Sequence, residues 1–270
     1  MPELPEVEVT CRCVRRELVG RGIKRVTVRN PHLRFPVPPE IARLEGTRVE
    51  AVDRRAKYIL IRSGGQTAVI HLGMTGHLSF PDPAEPPGKH DHFDLALDDG
   101  RIMRYRDPRR FGALLWTDGD PMQMRILSSL GAEPLEPGFT GEYLHQRLAR
   151  SRSPVKTALM KGDIVVGVGN IYASEVLYAA GISPLRRGDQ VSLEECGILV
   201  GEIRRILEDS IARGGTTIRN YAQVDGSRGA FADCLKVYGR ENENCPRCGG
   251  RIQRIIQGQR STFYCSGCQR

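Results

Sequence analysis

The chain lacks any apolar run of the ~18 or more residues that a membrane span requires, and it lacks the basic stretch followed by an apolar core that marks a secretory leader. Internal repeats and low-complexity tracts are absent too. A cytoplasmic globular protein is therefore expected. With 270 residues, 40% of them hydrophobic and 27% charged, the chain is long enough for two compact domains. A dinucleotide fingerprint is also missing, because Gly167 and Gly169 in VVGVGNIYASE would need a third glycine where Tyr172 stands. What survives there is a glycine turn opening a helix at Asn170, whose backbone N–H groups suit a phosphate.

Acidic residues are the scarcer charge: 32 Asp and Glu face 40 Lys and Arg, a net charge of +8, and the pI is 9.2. The excess is uneven. From Lys236 to Arg270 seven basic residues stand against Glu241 and Glu243, a net of +5. A second cluster, RIMRYRDPRR, sets Arg101, Arg104, Arg106, Arg109 and Arg110 around Asp107 alone. Two such clusters favour a polyanionic partner over a merely solvated surface, and nucleic acid is the commonest polyanion.

Of eight cysteines, Cys11, Cys13, Cys196 and Cys234 have no ligand spacing and read as small core or surface residues. The other four form Cys245-x-x-Cys248 and Cys265-x-x-Cys268, sixteen residues apart. That is zinc-ribbon spacing: each CxxC turn offers two thiolates, and a hairpin between the pairs closes a tetrahedral site. A reducing compartment disfavours the competing reading of two disulfides. Four protein ligands leave no open position, so one structural Zn2+ is expected.

Along the first half, IKRVTVRN, TRVEAVDRR, KYILIRS, TAVIHLG, FDLALDDGRIMRYR and GALLWTD predict antiparallel strands, several of them separated by Gly-Gly, Asp-Gly or Asp-Pro turns. PEVEVTCRCVRRELVG before them reads as a helix, with Pro5 in its first turn and Gly20 at its end. From about Gly119 onward the pattern is helical. EYLHQRLARS, PVKTALM and NIYASEVLYAAG are short helices, and SLEECGILVGEIRRILEDSIARGG is a long one. Its capping box is Ser192 with Glu195, and Leu199, Val200, Ile203, Leu207 and Ile211 share one face. PDPAEPPGKHDH reads as a surface loop between strands, and the Gly- and Pro-rich LGAEPLEPGFTG as the boundary.

Seven segments, in order, carry a resemblance: PELPEVE at 2–8, RRAKY at 54–58, HLGMTG at 71–76, KHDH at 89–92, RDPRRFG at 106–112, VGVGNIYASE at 166–175 and GQRSTFYCSGCQ at 258–269. The chain resembles the formamidopyrimidine-DNA glycosylases, bacterial enzymes that excise oxidised purines. The resemblance implies an α+β protein: an N-terminal helix and antiparallel β-sandwich at 1–132, a helical DNA-binding domain with a helix-two-turn-helix element at 133–235, and a zinc hairpin at 236–270.

The activity it implies is that of a bifunctional DNA glycosylase and apurinic/apyrimidinic lyase. Met1 is removed, and the secondary amine of Pro2 attacks the sugar C1′. An α-amine titrates near pH ~8, so a useful fraction is neutral. Glu3 is the general acid or base for opening the sugar ring. Lys57 acts as proton donor in the first elimination, and Arg260 contacts the phosphates flanking the lesion and assists the second. Met74, Arg109 and Phe111 fill the gap left by the extruded nucleotide. His71, His90, Arg109, Arg150 and Asn170 hold the DNA, and a segment following GGTT, at 214–231, closes over the flipped base.

The partner so implied is duplex DNA with oxidised bases or abasic sites, met by a monomer without a membrane, in a bacterial cytoplasm at the nucleoid. The chain departs from the family's usual residues at Ala132, at Lys161 and at Ala230, all of which bear on lesion preference. Two other readings compete: an endonuclease VIII-type enzyme for oxidised pyrimidines, and a non-catalytic zinc protein that binds damage or junctions. PELPE, Met74 and the RRF run favour the purine enzyme. The set Pro2, Glu3, Lys57 and Arg260 argues against the silent one.

Overall fold

The computed structural model describes residues 2–216, 224 and 229–270. The chain forms two compact units, Met1–Ser128 with Gly214–Ala230, and Ser129–Arg213 with Phe231–Arg270. Among the described residues, no helix is long and apolar enough to cross a membrane.

The first unit begins with helix α1 (Leu4–Leu18). Its Leu4, Val7, Cys11, Val14 and Leu18 recur at three- and four-residue spacing and are all buried, so one stripe of the helix faces the core. Gly20, at φ +81°, follows its end. Eight strands come next: β1 (Ile23–Val28), β2 (Val49–Arg55), β3 (Tyr58–Ser63), β4 (Gln66–His71), β5 (His77–Ser79), β6 (Asp91–Leu97), β7 (Ile102–Arg106) and β8 (Ala113–Thr117). They make two antiparallel sheets, ordered β1-β6-β7-β5 and β2-β3-β4-β8. Alternating residues of both sheets, among them Val52, Ile59, Ile61, Phe93, Leu95 and Tyr105, bury into one core together with the helix stripe. Burying each such large apolar side chain contributes roughly 1.5–3 kcal/mol.

The segment FDLALDDGRIMRYR resolves into two strands, β6 and β7, around the turn at Asp98 to Gly100, as its Asp-Gly pair demands. Among the strands and α-helices, β5 and α2 (Arg125–Ser128) lie outside the sequence expectation. β5 is only three residues long, and α2 is a single turn; neither is long enough to display a period.

In the second unit the helices are α3 (Gly141–Leu148), α4 (Val155–Met160), α5 (Asn170–Ala180) and α6 (Leu193–Ala212). The Ser192–Glu195 capping box opens α6, and its apolar stripe, with Cys196, is buried. Helix α5 is covered on nearly every side, Tyr172 through Tyr178 all being buried, which is why its sequence shows little amphipathic character. The unit ends in the hairpin β9 (Gln253–Gln257) and β10 (Arg260–Tyr264).

Candidate functional site

The candidate residues of the first unit sit on its helix N-terminus and on three turns. Pro2 and Glu3 are buried where α1 begins. Glu3 caps that helix, and its backbone N–H donates to Glu6 Oε2 at 2.8 Å. The other oxygen of Glu6 accepts the N–H of Thr216 at 2.7 Å, so Thr216, which follows the glycine pair Gly214-Gly215, is pinned to the first turn of α1. The segment expected to close over a flipped base lies mostly outside the described residues.

Lys57 stands at the tip of the β2–β3 hairpin, where Arg55 pairs with Tyr58 and leaves a two-residue turn. Ala56 in that turn has φ +53°, a conformation that costs an L-residue free energy and is tolerated where the surroundings enforce it. The enforcement is visible. Arg54 Nη1 donates to the Ala56 carbonyl at 3.0 Å, and Arg54 Nε donates to Glu8 Oε2 of α1 at 2.7 Å. Burial pushes the Glu8 carboxyl up, but hydrogen bonds from Arg54 and Arg12 outweigh it and hold the group below the usual carboxylate range. The sequence contained both halves of this clamp, in PELPEVE and RRAKY, yet no local spacing links them.

The void-filling candidates occupy two loops that share one anchor. Met74 is 40% exposed and Phe111 46%, unusual values for large apolar side chains beside a core. The Arg109 guanidinium lies 4.6 Å over the Phe111 ring. Beneath them Asp107 is fully buried. Its carboxylate accepts from Thr75 Oγ1 in the Met74 loop, from Tyr105 Oη at 3.2 Å, and from the N–H groups of Arg109 and Gly112 at 3.3 and 2.8 Å. Gly73, at φ +63°, completes the junction: a Cβ there would lie 2.4 Å from the backbone of Phe111 and Gly112. Asp107 is a site residue that sequence reasoning passed over, although it was the one acid in the RIMRYRDPRR run.

His71 ends β4 with its ring 4.8 Å from that of Tyr58. Its Nδ1 accepts the Gly73 N–H at 3.0 Å. Burial, and then the nearby charges of Arg34 and Lys57, push its pKa down to about 4. The ring is therefore neutral at physiological pH with its proton on Nε2, a directional donor and not a cation. His90 is half-buried, and its carbonyl accepts the Asp107 N–H. His92 Nε2 is engaged with the Asp107 carbonyl at 2.7 Å.

In the second unit, Gly167 (φ +80°) and Gly169 make the turn expected before α5, and Asn170 is that helix's first residue. Its side-chain amide is committed on both sides. Lys156 Nζ donates to Oδ1 at 2.6 Å, and Nδ2 donates to the Ser261 carbonyl at 2.9 Å. Lys156 is only 1% exposed and reaches Thr262 Oγ1 at 2.7 Å as well. A buried ammonium needs such acceptors, and these three tie α4, α5 and β10 together. Ser261 and Thr262 follow Arg260, so the hairpin carrying Arg260 is held from below. Arg260 itself is exposed, beside a turn in which Gly258 and Gln259 have φ +54° and +60°, the pattern of a type I′ hairpin.

The four Sγ atoms of Cys245, Cys248, Cys265 and Cys268 lie within 4.8 Å of one another, with Cys245–Cys268 at 3.8 Å and Cys248–Cys265 at 3.5 Å. Thiolates ~2.3 Å from a tetrahedral zinc are about 3.8 Å apart, so the set fits one structural zinc. It is tied to α5: Tyr178 Oη lies 3.3 Å from Cys245 Sγ, and the buried Glu175 accepts the N–H groups of Lys236, Val237 and Tyr238 at 2.8, 3.0 and 2.8 Å.

A buried acidic helix start, exposed wedge residues on anchored loops, and a hairpin with a four-cysteine set that fits one zinc and an exposed arginine are the features of a zinc-binding, DNA-binding protein. Comparison with known proteins narrows the class. Three family descriptions match in succession: the formamidopyrimidine-DNA glycosylase N-terminal domain over residues 1–114, the formamidopyrimidine-DNA glycosylase H2TH domain over 130–222, and a zinc finger found in FPG and IleRS over 242–270. A formamidopyrimidine-DNA glycosylase of Stutzerimonas stutzeri is 51% identical over 272 residues, covering 100% of both chains. Among solved structures, a Lactococcus lactis FPG mutant in complex with Fapy-dG-containing DNA matches with a TM-score of 0.92 at 32% identity, and MutM in complex with carbocyclic 8-oxo-G-containing DNA with 0.90 at 31%, each over 100% of both chains. The chain belongs to the formamidopyrimidine-DNA glycosylase family.

Proposed function

We propose that this protein excises oxidised purines, 8-oxoguanine and formamidopyrimidines, from duplex DNA and then cleaves the strand at the resulting abasic site. The observation that carries the reading is the clamp between Glu8 and Arg54, which holds the Lys57 turn against the helix that starts at Pro2 and Glu3. Once residue 1 is removed, Pro2 is a secondary amine with a nitrogen lone pair. It attacks C1′ as the base departs and gives an iminium, with Glu3 exchanging the proton that ring opening requires. The iminium acidifies the C2′ proton, whose loss breaks the 3′ C–O bond; a second elimination breaks the 5′ bond. Lys57 and Arg260 assist these two steps.

Met74, Arg109 and Phe111 fill the stack during extrusion, and His71, His90, Arg150 and Asn170 hold the backbone. Residues 1–132, 133–235 and 236–270 then divide the work into chemistry, grip and hairpin contact. The zinc supplies no chemistry beyond holding its hairpin in shape. The enzyme acts in the cytoplasm, at the nucleoid, where its substrate lies.

The test is borohydride trapping on duplex containing 8-oxoguanine opposite cytosine, using protein whose N-terminal residue has been sequenced. A covalent adduct is expected with Pro2 exposed and none with residue 1 retained. An adduct on oxidised pyrimidines alone would move the assignment to the pyrimidine enzyme, and no adduct on any lesion or abasic duplex would end it.

A further inference from the structure

A cavity of about 520 Å³ lies in the second unit between the C-terminal ends of α5 and α6, the segment at 231–236 and the first CxxC loop. Its wall residues Tyr178 and Ala179 follow Asn170 by eight and nine positions. At ~1.5 Å per residue they stand about 12 Å along the helix from it, away from the end of α5 read as holding DNA. The buried Tyr178, Ile206 and Phe231 make an apolar floor. Its neighbouring polar atoms are engaged: Tyr178 Oη lies 3.3 Å from Cys245 Sγ, and both oxygens of Glu175 accept backbone N–H groups.

Four exposed cations, Arg205, Arg213, Lys236 and Arg247, ring that floor. Arg205 pairs with Glu202 and Arg213 with Asp209 along the helix surface, and exposed pairs of this kind are weak enough to exchange partners. Lys236 Nζ has no hydrogen bond or ion pair among the described residues. Arg247 has no carboxylate partner there either; its guanidinium lies 4.8 Å over the Tyr178 ring and donates to the Ala179 carbonyl at 3.3 Å.

We propose that this cavity docks an acidic peptide segment of a partner protein, with one apolar side chain entering the floor and its carboxylates meeting Lys236, Arg247, Arg205 and Arg213. The chemistry of the cavity selects that occupant. A nucleobase placed on the floor would lose its hydrogen bonds to water and find none in return. A fatty acid has one anionic head, whereas the cations stand on three separate segments: the end of α6, residue 236 and the zinc loop. A run of aspartates or glutamates next to a leucine or phenylalanine supplies both the spaced charges and the anchor. The cavity volume falls within the ~300–1,000 Å³ of ordinary ligand pockets. It is also preformed, because Glu175 holds the backbone of Lys236 and the cysteine loop carries Arg247.

The experiment is fluorescence anisotropy of full-length, zinc-loaded protein with a labelled hexapeptide of four aspartates followed by leucine and phenylalanine. Saturable binding is expected. Replacing the peptide's phenylalanine with alanine should weaken it about tenfold or more. K236E/R205E should weaken it about tenfold, and A179L, which fills the cavity without changing its charge, by a similar factor. Duplex affinity, its salt slope and borohydride trapping are expected to be the same in K236E/R205E as in wild type. On wild type the peptide should slow alkylation of Cys234, half-buried on the cavity wall, and leave Cys13 on α1 unaffected. That readout holds even where a variant folds poorly.

Equal affinity for the phenylalanine and alanine peptides, or for wild type and A179L, would reduce the effect to non-specific charge attraction and overturn the proposal. Unprotected Cys234 would do the same. So would a lower DNA salt slope in K236E/R205E with duplex displacing the peptide, which gives the cations to DNA. Self-association of wild type that K236E/R205E abolishes would give the cavity to a second copy of this chain instead.

Discussion

Arg54 on β2 and Glu8 on α1 meet at 2.7 Å with only 10% and 15% of their side chains exposed. Because Arg54 also holds the Ala56 carbonyl, the pair fixes the strained turn that presents Lys57. Replacing Arg54 with Gln leaves Glu8 a largely buried anion with a weakened partner set. R54Q is expected to cost about 2–4 kcal/mol in urea unfolding and to lower trapped-adduct yield at temperatures where it remains folded. R54K, which keeps charge without the forked donors, should fall between. Wild-type yields from a folded R54Q would remove the clamp's role.

The pH dependence of stability follows from His71. Its folded pKa is about 4, below the ~6.5 of an unfolded imidazole. As pH falls below 6.5 the unfolded chain takes up a proton that the folded chain refuses, so stability drops. The loss is complete near pH 4 and is on the order of 3 kcal/mol. Urea melts at pH 7 and 4.5 should show wild type losing more stability than H71Q. Parallel losses would contradict the neutral buried ring.

Asn at position 107 retains one acceptor oxygen but turns an amide donor toward groups that already donate. D107N is expected to cost about 1–3 kcal/mol and to slow single-turnover excision of 8-oxoguanine, because Met74, Arg109 and Phe111 lose their common anchor. Thermal melts and single-turnover assays check both. An unchanged excision rate would mean that the loops are set independently of this carboxylate.

Chelation of the zinc should loosen the β9–β10 hairpin and weaken DNA binding, with Arg260 no longer presented on a fixed turn. Metal content and affinity are measured on the same sample. Full affinity after verified metal loss would deny the hairpin its part in binding.

The sequence displayed whatever is local. The α1 stripe, the strands around Gly and Asp turns, the α6 cap and the CxxC quartet all act over a few residues, and all are found. It concealed the buried charges, because their partners are remote in the chain: Glu8 bonds 46 residues away, Glu175 62 and Lys156 106. Such pairings depend on which elements pack together, and no periodicity encodes that. Asn170 was found for its place at the start of a helix, while its tethering to Lys156 and Ser261 is tertiary. The exposed side chains Met74, Arg109 and Phe111 were legible only through the motifs around them, since a Met or a Phe in a strand-rich half otherwise reads as core.

Helix α5 carries both Glu175 and Tyr178, one gripping the approach to the metal quartet and the other touching a thiolate, while its first residue is bonded to the strand behind Arg260. The thirty-odd C-terminal residues are accordingly not a detachable bead. Excised from this helix they would have to fold around metal alone, with a glutamate's worth of backbone donors left to water. Transplanting the finger onto another scaffold would therefore require carrying α5 along with it.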